Sequence, residues 1–169
     1  VANSGLKAIE LLENHQPDLI ISDVMMPEMD GLSFCKHIKQ HIATSHIPVI
    51  LLTAKNERTQ QMEGFDHGAD DYLTKPFSIS LLEAKIAAVL RLRQSIKDYY
   101  ASSKKVEPEK IADNPLDQEF LTKAIKIIED NLNEYDFSVN KLSQELNMSR
   151  ANVYLKIKAL TGESISLFI

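Results

Sequence analysis

The stretch Ile20-Ile21-Ser22-Asp23-Val24-Met25-Met26-Pro27-Glu28-Met29-Asp30-Gly31 constrains this chain more than any other. A short apolar run ends in a carboxylate, a turn bearing Pro and Gly follows, and a helical pattern opens directly behind it. That order is a strand–helix unit, and a chain of such units folds into a parallel sheet covered by helices. In open sheets of this kind, ligands and chemistry sit beyond the carboxyl ends of the strands. Asp23 therefore stands where a phosphoryl group or a metal ion can reach it.

The alternation runs from residue 6 to residue 102. Ala8, Leu11 and Leu12 predict a first helix, residues 19–22 a strand, and residues 32–38 a second helix. A second strand is expected at 49–53 behind Pro48, and a third at 71–74. Met62 and Phe65 mark a helix between them, with Gly68 suited to its left-handed cap. Leu82, Ile86 and Val89 begin a helix that extends towards Tyr100. Residues 101–114 have mixed charge, Pro108 and no period, and read as a linker. Asn114-Pro115 then supplies an N-cap followed by proline at the first helical position. The expected organisation is an α/β domain at 1–100, a linker at 101–114 and an all-α segment at 115–169.

Bulk properties narrow the class. The 169 residues hold one cysteine, Cys35, so no internal disulfide forms and a reducing, cytoplasmic setting is expected. No apolar run approaches the roughly 18 residues that cross a bilayer, and no membrane contact by this segment is expected. The net charge of −5 argues against a chain that coats nucleic acid throughout. Its distribution says more. Residues 106–136 carry nine acids against three lysines, whereas residues 137–162 carry four basic side chains against Glu145. Two surfaces with different partners follow from that split.

Two further motifs complete the first: Leu51-Leu52-Thr53-Ala54 and Tyr72-Leu73-Thr74-Lys75-Pro76-Phe77. Any one of them alone is ordinary: an Asp before a turn is usually a cap, and Asp30-Gly31 is usual turn chemistry. Their joint occurrence in this order resembles the receiver domain of bacterial two-component response regulators, whose fold is a flavodoxin-like parallel sheet. The resemblance implies that Asp23 is the phosphoacceptor, Thr53 the switch hydroxyl, Lys75 the charge partner and Tyr72 the aromatic that moves with the hydroxyl. It also implies that Asp23 and the Met25 backbone carbonyl ligate Mg²⁺, and it puts Lys75-Pro76 at a position that the family often holds cis. The chemistry suits those residue types: a carboxylate attacks phosphorus, and a lysine neutralises the transferring charge.

Receivers also place two adjacent acids at the end of a first strand, to complete the metal site. Here Val1-Ala2-Asn3-Ser4-Gly5 resembles the end of the second strand, so the first strand, first helix and acidic pair are missing from the sequence. Weak or absent Mg²⁺ binding and poor phosphorylation are expected of it as it stands. The five histidines are scattered over helix ends and loops, none spaced as a metal pair with Cys35, and they carry no assigned site.

Residues 137–162 read as two short helices, 138–146 and 149–160, meeting at Asn147-Met148-Ser149. Asn147 tolerates the left-handed conformation of a tight corner, and Ser149 is a good N-cap. Leu142, Leu146, Val153, Ile157 and Leu160 would pack the pair together. Arg150, Ala151, Tyr154, Leu155 and Lys158 then face outward, as a recognition helix requires in a major groove. The segment resembles the first helix-turn-helix of AraC-type transcription factors. Its plain alternative is an αα-hairpin.

The expectation for the whole is a phosphorylation-dependent transcription regulator. It would be a phosphoacceptor rather than an enzyme, with a histidine kinase and double-stranded DNA as partners and a homodimer as the active form. Two alternatives stand beside it: the C-terminal part of a hybrid sensor histidine kinase, and a degenerate receiver that only binds other proteins.

Overall fold

The computed structural model describes residues 1–54, 68–103, 107–134 and 137–168, and divides into two units, Val1–Leu92 and Arg93–Ile169. In the first unit the apolar runs become β1 (Ile20–Asp23), β2 (Val49–Ala54) and β3 (Asp71–Lys75). All pair in parallel, in the order β1-β2-β3. Strands that follow one another along the chain are thus neighbours in the sheet. The register sets Asp23 beside Leu52, and Ala54 beside Lys75, so the carboxyl ends of the three strands form one edge.

Helices α1 (Gly5–Leu12) and α2 (Gly31–Gln40) belong to the same unit. Both begin with side-chain caps: Ser4 accepts from the Lys7 amide at 3.3 Å, and Asp30 accepts from the Ser33 amide at 2.6 Å. Phe34, Cys35 and Ile38 come from one face of α2 and pack with Val24, Val49, Leu51, Ala69 and Tyr72. Burying a side chain of this kind contributes about 1.5–3 kcal/mol. At the amino ends of the strands, Lys39 Nζ donates to the Ile47 carbonyl at 2.9 Å and pairs with Asp70 at 2.7 Å. Asp70 Oδ2 also accepts from the Val49 amide at 2.8 Å. That network ties α2 to the start of β2, on the side of the sheet away from Asp23. The long helix α3 (Ile79–Ser103) is joined to β3 by Lys85, which donates to both oxygens of Asp71 at 2.7 and 2.8 Å.

The helix expected around Met62 and Phe65 lies outside the described residues. Gly68 does take a left-handed φ, at 78°.

The second unit is helical. Residues 101–114, read as a linker because they show no period, contain a short helix, α4 (Pro108–Ile111), and Ile111 is buried. Four residues are too few to show a period, and this is why the turn was not legible. Helix α5 (Pro115–Asp130) is capped by Asn114 at 2.9 Å and buries Phe120, Leu121, Ala124, Ile127 and Ile128 along one stripe. Helices α6 (Val139–Glu145) and α7 (Arg150–Thr161) follow, then α8 (Ile165–Phe168). Leu142, Leu146, Val153, Ile157 and Leu160 are all buried in one core with Tyr100 and Ile165, the packing their spacing predicts. The corner at Asn147 has φ 53°, and Ser149 caps α7 through the Asn152 amide at 3.2 Å. Gly162 ends α7 in the left-handed region, with its amide donating to the Lys158 carbonyl at 2.9 Å.

Candidate functional site

Asp23 is the last residue of β1, and its carboxylate is held from two directions. The Met25 amide donates to Oδ1 at 3.2 Å, an Asx-type turn that steers the chain away from the strand. Lys75, the last residue of β3, donates from Nζ to Oδ2. The peptide bond after it, Lys75-Pro76, is cis. Side-chain exposures of 37% for Asp23 and 43% for Lys75 leave the pair open to solvent and to a reactant. Through Leu52 of β2, Asp23 is level with Leu73, so Lys75 stands two residues further along β3 and its long side chain reaches the carboxylate across β2.

Thr53 and Tyr72 stand deeper. Thr53 is 2% exposed, and its hydroxyl donates to the Ala54 carbonyl at 3.5 Å. Among the described residues no hydrogen bond joins it to Asp23. Tyr72, paired in register with Leu51, is buried in the core, and burial raises its phenol well above the ordinary tyrosine range. Met25 is exposed, and an open cleft of about 450 Å³ lined by Val24, Met25, Met26, Asp30 and Leu32 lies beside the loop.

For a Mg²⁺ ion the donors at this edge are incomplete. Magnesium takes six oxygens and is bound through one or two carboxylates plus water and phosphate. Asp23 offers one carboxylate, already engaged by Lys75, and Met25 offers a backbone carbonyl. Among the described residues no group of three or more His, Cys, Asp or Glu side chains converges on an ion site. Among the described residues, Asp23 and the Met25 carbonyl do not by themselves make a magnesium site.

The comparisons with known proteins fit this geometry. The family model of the response regulator receiver domain matches residues 1–87. The chain belongs to that family. The receiver-domain structure of a signal transduction histidine kinase from Syntrophus aciditrophicus is 39% identical, with a TM-score of 0.50 over 53% of this chain and 68% of that one. A response regulator receiver domain protein from Clostridium thermocellum is 27% identical, with a TM-score of 0.51 over 56% and 75%. Among curated relatives, the DNA-binding dual master transcriptional regulator RpaA of Synechocystis is 43% identical over 90 residues, 53% of this chain and 37% of RpaA. Histidine kinase P4 of Formosa agariphila is 41% identical over 168 residues, 99% of this chain but 12% of that kinase. The chain thus spans well under half the length of these curated relatives. A receiver domain typically binds Mg²⁺ at its phosphorylation site.

The second unit carries the other group of candidate residues. Arg150, Ala151, Tyr154 and Lys158 are all exposed on α7, as is Leu155. Lys158 Nζ stands 5.8 Å from the Tyr154 ring centroid, a cation–π distance. The opposite face holds Val153, Ile157 and Leu160, and with them a lysine the sequence reading did not single out. Lys156 is fully buried, forms an ion pair with Asp117 of α5, and lies 5.2 Å from the Phe120 ring. Its position three residues after Val153 and four before Leu160 was the available signal. No described helix is long and apolar enough to cross a membrane.

Proposed function

We propose that Asp23 accepts a phosphoryl group from a histidine kinase and thereby controls DNA binding by the second unit. The observation that carries this reading is the Asp23–Lys75 pair at the strand ends, at the positions the receiver motif requires. An Asp23 oxygen attacks phosphorus in line with the donor imidazole. The O–P bond forms as the P–N bond breaks, and the imidazole nitrogen leaves with the electron pair. Lys75 then transfers its hydrogen bond from the carboxylate to the phosphoryl oxygens, offsetting their charge. Thr53 and Tyr72 are the groups that respond, and a Mg²⁺ ion would need donors beyond Asp23 and Met25.

Helix α7 would lie in the major groove, with Arg150 and Tyr154 reaching base edges and Lys158 a phosphate. A homodimer would set two such units on paired half-sites.

One observation favours a second context for the same chemistry. Histidine kinase P4 matches both units, whereas RpaA matches the receiver half alone. In that reading the chain is part of a hybrid protein whose kinase, receiver and DNA-binding parts share one polypeptide. Either way the test is the same: in the full-length protein Asp23→Asn removes phosphate-dependent DNA binding and leaves phosphate-independent binding in place. Equal stimulation of Asp23→Asn and parent by the phosphodonor sinks the proposal.

A further inference from the structure

The carbonyl of Asp23 leaves no room for a side chain at residue 31, and we propose that Gly31 is a positioning residue for the phosphoacceptor. A Cβ built on Gly31 would stand 2.1 Å from the Asp23 oxygen, and 2.9 Å from both Asp23 C and Val24 Cα. All three are backbone atoms, so no side-chain rotation relieves the clash. The Gly31 amide donates to the Val24 carbonyl at 2.8 Å, while the Val24 amide donates to Leu52 at 2.9 Å. The first turn of α2 is therefore seated directly on the strand end that carries the carboxylate. Asp30 fixes that turn through its cap on Ser33.

Glycine is needed here for space, which is a different demand from the turn chemistry that Asp30-Gly31 suggests in the sequence. A methyl group at residue 31 must either lift α2 or push the Asp23 backbone, and the second response moves the carboxylate relative to Lys75. Gly5 makes an informative contrast. A Cβ there would stand 2.9 Å from Met29 Cγ, 3.0 Å from Met29 Cβ and 3.1 Å from the Met29 carbonyl oxygen, tight contacts but none as short as the 2.1 Å at Gly31.

This inference rests on the reading of Asp23 as phosphoacceptor. The test compares the full-length parent with Gly31→Ala, Gly5→Ala and Leu32→Ala. Each is phosphorylated from phosphoramidate with Mg²⁺ over a range of donor concentrations and melted in parallel. Leu32→Ala loosens the same turn of α2 without adding an atom against Asp23. The expected result is a folded Gly31→Ala whose maximal rate falls about 100-fold, the loss that follows a misplacement of about 1 Å, at an unchanged half-saturating donor concentration. Gly5→Ala and Leu32→Ala keep the parental rate. A Gly31→Ala variant at the parental rate, one matched in its loss by Leu32→Ala, or one that does not fold overturns the proposal and leaves the glycine a structural residue. A parent that takes no phosphoryl group on Asp23 overturns the phosphoacceptor reading as well.

Discussion

Lys75 reaches Asp23 across the middle strand of the sheet, donating from Nζ to Oδ2 although 52 positions separate the two residues in sequence. The parallel register sets Asp23 level with Leu73, two residues before Lys75, and the long lysine side chain spans that gap. A pair this open to water contributes about 0–1 kcal/mol at most. Its value is electrostatic and local to the reactant.

Replacing Lys75 with methionine should therefore separate stability from chemistry. Unfolding free energy is expected to move by less than about 1 kcal/mol. Phosphoryl transfer to Asp23 should fall by about 100-fold or more, the scale for removing one group aimed at developing charge. Urea denaturation and a phosphodonor time course on the same preparations check both halves. A large stability loss with unchanged transfer contradicts the assignment.

The Asp117–Lys156 pair is the opposite case, because both side chains are buried. Burial lowers the Lys156 ammonium from its ordinary value, and Asp117 pulls in the other direction. Removing one partner strands the other: Lys156→Met alone should cost about 3–5 kcal/mol. Exchanging both for apolar residues, Asp117→Leu with Lys156→Met, should recover most of that loss. Denaturation of the three chains measures it, and a double variant as unstable as the single one rules out the stranded-charge explanation.

Cys35 makes a prediction about alkaline pH. Burial pushes its thiol from 9.0 up to about 11, since the thiolate is excluded from the core. Between those values the folded chain keeps a proton that the unfolded chain releases. The contribution is therefore complete below pH 9 and lost as pH rises through about 11. The stability gap between parent and Cys35→Ala should narrow by about 2–3 kcal/mol across that window. Melts at stepped pH give the answer; a constant gap contradicts it.

How much of this was legible beforehand depends on the kind of residue. The strands ending at Asp23, Ala54 and Lys75 announced themselves because their apolar runs are bounded by Pro, Gly and charged residues. The caps at Asn114 and Ser149, and the corner at Asn147, were legible because few residue types satisfy those backbone demands. The turn of helix at 108–111 was not, since Ile111 is buried only once Tyr100 and α5 gather around it. Lys156 hid for another reason: composition marks a lysine as surface, and only the partner at Asp117, 39 positions earlier, makes its burial tolerable. The space requirement at Gly31 is likewise invisible until β1 and α2 are docked.

The central claim is that Asp23 carries the phosphoryl group, and the most direct measurement is to find it there. The full-length protein, incubated with its phosphodonor and digested, should yield a single acyl-phosphate on the peptide containing residue 23. The modification should be labile to hydroxylamine and absent from Asp23→Asn. Phosphate located on any other residue, or retained in Asp23→Asn, contradicts the account.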